Sequence, residues 1–110
     1  MNQQIPEVTL HDGLRIPSIG IGTATLRGID GVSAISNAIE NGYRLIDSAY
    51  NYENEGAVGE AIRKTSISRQ ALRITSKLPG RYHTYQNAVK TIQESLYRAN
   101  LDYYDLYLIH

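Results

Sequence analysis

The segment from residue 42 to residue 62, GYRLIDSAYNYENEGAVGEAI, changes from a strand pattern to a helix pattern and decides the fold. The apolar pair Leu45 and Ile46 leads directly into Asp47, which is followed by two small residues, two tyrosines and a Glu-Asn-Glu triplet. After this triplet, which ends at Glu55, apolar residues recur at helical spacing: Val58, Ala61 and Ile62. We therefore predict a strand that ends on a carboxylate and continues into a helix.

The residues before this segment predict a hairpin, a short strand and a helix. The dipeptide Asp12-Gly13 lies between two apolar runs and favours a tight turn, because glycine adopts a positive φ without a steric penalty. A short strand is expected near residues 19–22. Between residues 31 and 41 the apolar side chains fall on one helical face, and Gly42 stands where a left-handed C-cap belongs.

The residues after this segment repeat the alternation. LRITSKL at residues 72–78 has the composition of a strand. Residues 84–101 carry apolar side chains at helical spacing, with Thr84 as the N-cap. DYYDLYLIH at residues 102–110 predicts a final strand. After the hairpin, the predicted order is therefore β, α, β, α, β, α, β.

Strands that alternate with helices imply a parallel sheet with right-handed crossovers. From the residues alone, two α/β architectures remain open, namely the open doubly wound sheet and the closed barrel. In both of them, functional side chains collect at the carboxyl ends of the strands. Three consecutive strands deliver an ionisable side chain there: Asp47, Lys77 and His110.

Composition narrows the classes of function. The chain has 110 residues, with 11 Lys plus Arg and 11 Asp plus Glu, so no excess charge points to nucleic acid or to an anionic membrane. It has no cysteine, which excludes thiolate catalysis and cysteine-based metal centres. The N-terminal sequence MNQQIPEVTL lacks the features of a secretion signal, and no apolar run is long enough to span a membrane. We expect a soluble, cytoplasmic protein.

Two common cofactor patterns are absent from the sequence. A dinucleotide fingerprint that starts at Gly20 and Gly22 would need a third glycine where Thr25 stands, and the phosphate-binding P-loop is missing. The histidines are too far apart in unrelated elements to predict a metal site: His11, His83 and His110. We therefore expect no metal.

Taken singly, each ionisable residue has a plain structural explanation. Asp47 alone could cap the next turn, and Lys77 before Pro79 could be a solvated loop charge. Taken together, a carboxylate, an ammonium, an imidazole and a nearby phenol at adjacent strand ends are what proton transfer to a carbonyl requires. The joint pattern therefore favours an active site.

Four motifs resemble successive N-terminal signatures of the aldo-keto reductase family. They are LHDGLRIPSIGIGT, GYRLIDSAYNYENEGAVGEAI, RITSKLP and DYYDLYLIH, in the family's order and at similar spacings. The resemblance implies a parallel (β/α)8 TIM barrel and a catalytic tetrad of Asp47, Tyr52, Lys77 and His110. Tyr50 does not match the catalytic position.

The resemblance also implies NADPH-dependent reduction of an aldehyde or ketone, with Tyr52 as the general acid. The ammonium of Lys77 would stabilise the phenolate, Asp47 would hold Lys77 in place, and His110 would orient the carbonyl oxygen. Gly22, Thr23 and Asp47 match positions near the nicotinamide. The position after Thr23 is often an aromatic residue that lines the substrate pocket, but here it is alanine.

A complete barrel of this type takes about 250 residues, so we expect residues 1–110 to be a single, incomplete domain. It would supply the hairpin, about four strands and three helices, which is the N-terminal half of the barrel. Two further expectations follow from this. The first is a homodimer that forms through exposed half-barrel edges. The second is the alternative to an active enzyme, namely a fragment without turnover that only folds or binds a partner.

Overall fold

The computed structural model describes residues 5–110, so the first four residues of the predicted domain lie outside the described part. An antiparallel hairpin comes first, formed by β1 (Glu7–Thr9) and β2 (Arg15–Pro17). A four-stranded parallel sheet follows, in the order β3 (Ile21–Gly22), β4 (Leu45–Asp47), β5 (Arg73–Leu78) and β6 (Leu106–Ile109). The strands are therefore neighbours in the order in which they occur in the chain.

Helices connect consecutive strands of the sheet: α1 (Gly28–Glu40), α2 (Glu55–Lys64) and α3 (Tyr85–Ala99). The second helix packs against both of the others. This order agrees with the alternation predicted from the sequence. None of the helices in the described range is long and apolar enough to cross a membrane.

Helix ends show where local sequence determines the structure. Thr84 caps α3 as predicted, since its hydroxyl accepts a hydrogen bond from the backbone N–H of Asn87 at 3.3 Å. Gly42 follows the end of α1 with a φ of 106°, which is the left-handed conformation expected there. The start of α1 was predicted too late, because the helix begins at Gly28 rather than at residue 31. Its N-cap, Arg27, makes no side-chain capping bond that could have marked this start.

The hydrophobic core lies between the sheet and the helices. Ile46 of β4 and Ile74 of β5 are directly opposite each other and are fully buried on the face that the helices cover. Side chains from the first two helices complete this layer: Ile35, Ile39, Val58, Ala61 and Ile62. Because side chains alternate along a strand, the residues next to these isoleucines point to the opposite face of the sheet.

Two helices approach each other closely at Gly59 of α2. A Cβ atom at this position would lie 1.8 Å from the backbone oxygen of Ala99 in α3, which is far inside van der Waals contact. The same oxygen accepts a hydrogen bond from Arg63 at 2.7 Å. The contact between α2 and α3 therefore requires a residue without a side chain at this point.

A buried polar network joins α2 to β5 and to the loop before β6. Glu55, the first residue of α2, is only 2% exposed, and its Oε2 accepts hydrogen bonds from Ser76 at 2.6 Å and from the Tyr104 hydroxyl at 3.1 Å. Burial raises the pKa of Tyr104, and the nearby carboxylate of Glu55 raises it further. The network thus holds the start of α2 against the strand that carries Lys77.

We predict that Gly59→Ala destabilises the protein, whereas Gly56→Ala does not. Overpacking a tight contact typically costs about 1–3 kcal/mol, and the α2–α3 contact must open to admit the methyl group. At Gly56 the nearest atom to a Cβ is the backbone oxygen of Arg98 at 3.5 Å, which is ordinary contact. Urea unfolding of both variants measures the difference, and equal stabilities would contradict the close approach.

We also predict that Tyr104→Phe lowers the free energy of unfolding by about 1–3 kcal/mol at neutral pH, because a buried carboxylate loses a donor. The folded-state pKa of Tyr104 is raised, so its contribution is fully present below about pH 10 and is lost as the pH rises further. The alkaline loss of stability should therefore be smaller in the variant. Tyr97→Phe is the control, since Tyr97 is 81% exposed. A Tyr97→Phe effect as large as that of Tyr104→Phe would refute the prediction.

Candidate active site

An ion pair between neighbouring strands forms the centre of the site. Lys77 Nζ lies 2.8 Å from both carboxylate oxygens of Asp47, and Thr75 Oγ1 donates to Asp47 Oδ1 at 2.7 Å. Asp47 is directly opposite Thr75 in the parallel register, and Lys77 follows two residues later on the same face. The strand pairing therefore places the ammonium beside the carboxylate.

The two charges of this pair differ in their contact with solvent. The side chain of Lys77 is 14% exposed, whereas that of Asp47 is 39% exposed. Lys77 also donates to the backbone oxygen of Ser48 at 2.9 Å. Three oxygen acceptors from one strand end thus surround the ammonium, which fixes its position.

Tyr52 lies on a single 3-10 turn, Tyr50–Tyr52, directly after β4. Its hydroxyl is 3.4 Å from Lys77 Nζ, and the ammonium is 5.1 Å from the centre of the ring. Glu53 ends the turn in a left-handed conformation with a φ of 56°. The turn thus directs the phenol back over the strand ends.

His110 completes the cluster from the end of β6. Its ring centre is 5.9 Å from that of Tyr52, with the two planes nearly perpendicular at 87°. Its backbone N–H donates to the oxygen of Leu78 at 2.8 Å, so the ladder between β5 and β6 holds it in place. The four residues predicted as a catalytic tetrad therefore converge, although their roles remain predictions.

The two other predicted cofactor residues lie beside Asp47. Gly22 is opposite Asp47 in the register, and the space that a Cβ would occupy there is open. Thr23 is fully buried, and its hydroxyl donates to the backbone oxygen of Asp47 at 2.8 Å. The Thr23 side chain thus holds two strand ends together, while cofactor contact at both residues remains a prediction.

Tyr50 points away from the cluster. Its hydroxyl pairs with Arg98 at 3.1 Å, and its ring meets that of Tyr82 edge-on with centres 6.0 Å apart. A cavity of about 530 Å³ lies on this side of the molecule, lined by Tyr50, Arg81 and Arg98 among others. None of the four clustered residues lines this cavity. The candidate active site is therefore the cluster around the ion pair, where a carboxylate, an ammonium, a phenol and an imidazole lie together.

Sequence reasoning missed the part played by Asn54. Its side-chain nitrogen donates to the backbone oxygens of Thr23 and Leu26, and its oxygen accepts from the Ser48 hydroxyl at 3.3 Å. Asparagine in front of a helix predicts an ordinary N-cap, so the local pattern gave no sign of these long-range contacts.

No group of three or more potential metal-binding side chains is found within residues 5–110.

Sequence comparisons find relatives of this chain in one protein family. The sequence model of the Aldo/keto reductase family matches residues 18–110. The chain is 50% identical over 106 residues to 2,5-diketo-D-gluconic acid reductase B of Corynebacterium sp. (strain SHS752001), covering 96% of this chain and 38% of that protein. It is 42% identical over 105 residues to morphine 6-dehydrogenase of Pseudomonas putida, covering 96% of this chain and 36% of the relative.

Solved structures of proteins from the same family also superpose on this chain. An aldo/keto reductase from Brucella melitensis superposes with a TM-score of 0.93 at 41% identity, covering 97% of this chain and 42% of that one. A Bombyx mori aldo-keto reductase in complex with NADP gives a TM-score of 0.87 at 39% identity, covering 98% of this chain and 38% of that one. The four parallel strands thus correspond to part of a (β/α)8 barrel, which confirms the predicted fold class. The chain spans less than half the length of these relatives.

Proposed function

The chain belongs to the aldo/keto reductase family, and on that premise we propose that its strand-end cluster reduces an aldehyde or ketone with NADPH. One observation carries the proposal, which is that Lys77 Nζ lies between the Asp47 carboxylate at 2.8 Å and the Tyr52 hydroxyl at 3.4 Å. A cation in this position would stabilise the phenolate that forms when Tyr52 donates its proton. The substrate class is a small carbonyl compound.

The described residues fit a nicotinamide ring at this place. Open space lies above Gly22, where a side chain would obstruct a flat ligand, and polar groups border it on the side of Asp47. When bound, NADPH supplies the hydride that reaches the carbonyl carbon. The choice of NADPH as cofactor also rests on the family, because the Bombyx mori relative is in complex with NADP.

Tyr52 is the general acid in the proposed reaction. Its hydroxyl donates a proton to the carbonyl oxygen as that oxygen gains negative charge, which leaves a phenolate. Lys77 stabilises the phenolate, because a nearby opposite charge favours the ionised form. Asp47 acts one step away from the substrate by holding Lys77 in place.

His110 orients the substrate in this proposal. The centres of the two rings are 5.9 Å apart, and this proximity supports a site in which both side chains contact one carbonyl oxygen. A hydrogen bond from the imidazole would stabilise the charge that develops on this oxygen in the transition state. The phenol and the imidazole thus share one substrate atom but have separate roles.

Wild-type activity separates this proposal from the alternative made from the sequence, a chain that folds or binds a partner without turnover. The protein expressed from its complete reading frame should oxidise NADPH in the presence of simple aldehydes. NADPH binding without turnover on any aldehyde or ketone of a broad panel would favour the alternative. The homodimer expected from the sequence stays a prediction, which sedimentation velocity tests.

We predict that Tyr52→Phe lowers the rate of NADPH-dependent aldehyde reduction by about 10² to 10⁴-fold, which is the usual contribution of general acid catalysis. Tyr50→Phe is the matched control, because its hydroxyl pairs with Arg98 outside the cluster. The steady-state rate of Tyr52→Phe should be lower than that of Tyr50→Phe by at least about 10²-fold. Equal rates for Tyr52→Phe and wild type would remove the phenol from the mechanism.

We predict that Lys77→Met slows the hydride-transfer step, because the phenolate that forms as Tyr52 donates its proton loses the neighbouring cation that stabilises it. Asp47→Asn should slow the same step less, since it removes only the group that positions the lysine. Single-turnover rates test both variants. Rates equal to that of wild type would exclude these roles.

A further inference from the structure

Asn54 occupies a capping position but does not use its side chain as a cap. Its backbone oxygen accepts from the N–H of Val58 at 3.1 Å, as the residue before a helix should. An asparagine at this position normally accepts a hydrogen bond from a backbone N–H of the first helical turn. In α2 no such side-chain bond forms, and Asn54 is only 3% exposed. The amide therefore serves another purpose.

The Asn54 amide bridges two loops at the carboxyl end of the sheet. Its nitrogen donates to the backbone oxygens of Thr23 and Leu26, both in the β3–α1 loop, with the second bond at 3.0 Å. Its oxygen accepts from the Ser48 hydroxyl, directly after β4. Two of the bonds thus cross to the β3–α1 loop, and the third lies within the β4–α2 loop, which carries Tyr52.

Two of these contacts lead to members of the catalytic cluster. Thr23 donates to the backbone oxygen of Asp47 through its N–H at 3.2 Å and through its hydroxyl at 2.8 Å. The backbone oxygen of Ser48 accepts from Lys77. The β3–α1 loop also contacts the backbone of Tyr52, since Arg27 Nε donates to its backbone oxygen at 3.1 Å.

We propose that Asn54 is a positioning residue for the reaction, on the condition that the proposed function holds. Its buried amide locks the β3–α1 loop against the β4–α2 loop and so fixes Tyr52 relative to Lys77. The hydroxyl and the ammonium are 3.4 Å apart, a separation that a small shift of the β4–α2 loop would change. Misplacement of a catalytic group by about 1 Å can slow a reaction by about 10²-fold.

Asn54→Asp separates this role from helix capping. Aspartate is as good an N-cap as asparagine and interacts favourably with the helix dipole, so a pure capping role predicts little change or a gain in stability. In the positioning role, however, the new carboxylate oxygen replaces a donor and faces the backbone oxygens of Thr23 and Leu26. The two loops should then separate.

Asn51→Asp is the matched control, because it makes the same charge change three residues away. Asn51 is exposed in the 3-10 turn, and its side chain contacts Arg81 at 2.9 Å. Three quantities are measured in the protein from the complete reading frame: kcat for aldehyde reduction, NADPH affinity, and hydrogen exchange of the amides in residues 23–26 and 48–53.

For Asn54→Asp we expect kcat to fall by about 10 to 10²-fold, NADPH affinity to fall less than kcat, and exchange in both loops to accelerate. Asn51→Asp should match wild type in all three quantities. If Asn54→Asp also matches wild type, or if exchange accelerates while kcat is unchanged, the positioning role is wrong. If wild type itself reduces no carbonyl compound, the proposed function fails, and the exchange data still decide whether the amide locks the loops.

Ser48→Ala keeps the proposal testable if Asn54→Asp does not fold. It removes one of the three bonds, that from the Ser48 hydroxyl to the amide oxygen, without adding a charge. We expect a few-fold fall in kcat and faster exchange in residues 48–53, because the amide of Asn54 is then held by fewer hydrogen bonds. Unchanged kcat and unchanged exchange in Ser48→Ala would overturn the proposal.

Discussion

The parallel pairing of β4 with β5 is the constraint on which both the core and the site depend. This register sets Ile46 against Ile74 on the face that the helices cover, and Asp47 against Thr75 on the other face. A shift of one residue would exchange the two faces, placing a carboxylate in the core and an isoleucine at the site. Hydrophobic burial therefore fixes the register, and the register brings Lys77 to Asp47.

Patterns that repeat along the chain could be predicted from the sequence, and contacts between distant segments could not. The alternation of strands and helices, the cap at Thr84 and the strand-end charges all follow from local spacing. Tyr52 was separated from Tyr50 by the family motif alone, because both are tyrosines in the same short turn. Its proximity to Lys77 depends on how the turn folds back over the sheet.

The two residues at the start of α2 show why local reasoning failed. Asn54 and Glu55 have the sequence of a helix start, with a capping residue and then an acid that favours the dipole, and both would ordinarily be solvated. Both are instead buried, and they bond to Thr23 and to Ser76 in neighbouring strands and loops. Tertiary contacts override the local role here, and such departures from local rules concentrate at functional sites.

The burial of the ion pair determines what Lys77 can do for Tyr52. A carboxylate that neutralised the ammonium completely would leave little positive potential at the phenol. Asp47 is the more exposed partner at 39%, so water screens its charge, and a hydrogen bond from Thr75 disperses that charge further. Lys77, at 14% exposed, is screened less. The two charges of the pair are therefore screened unequally, and the less exposed one, the ammonium, is the one that lies 3.4 Å from the Tyr52 hydroxyl.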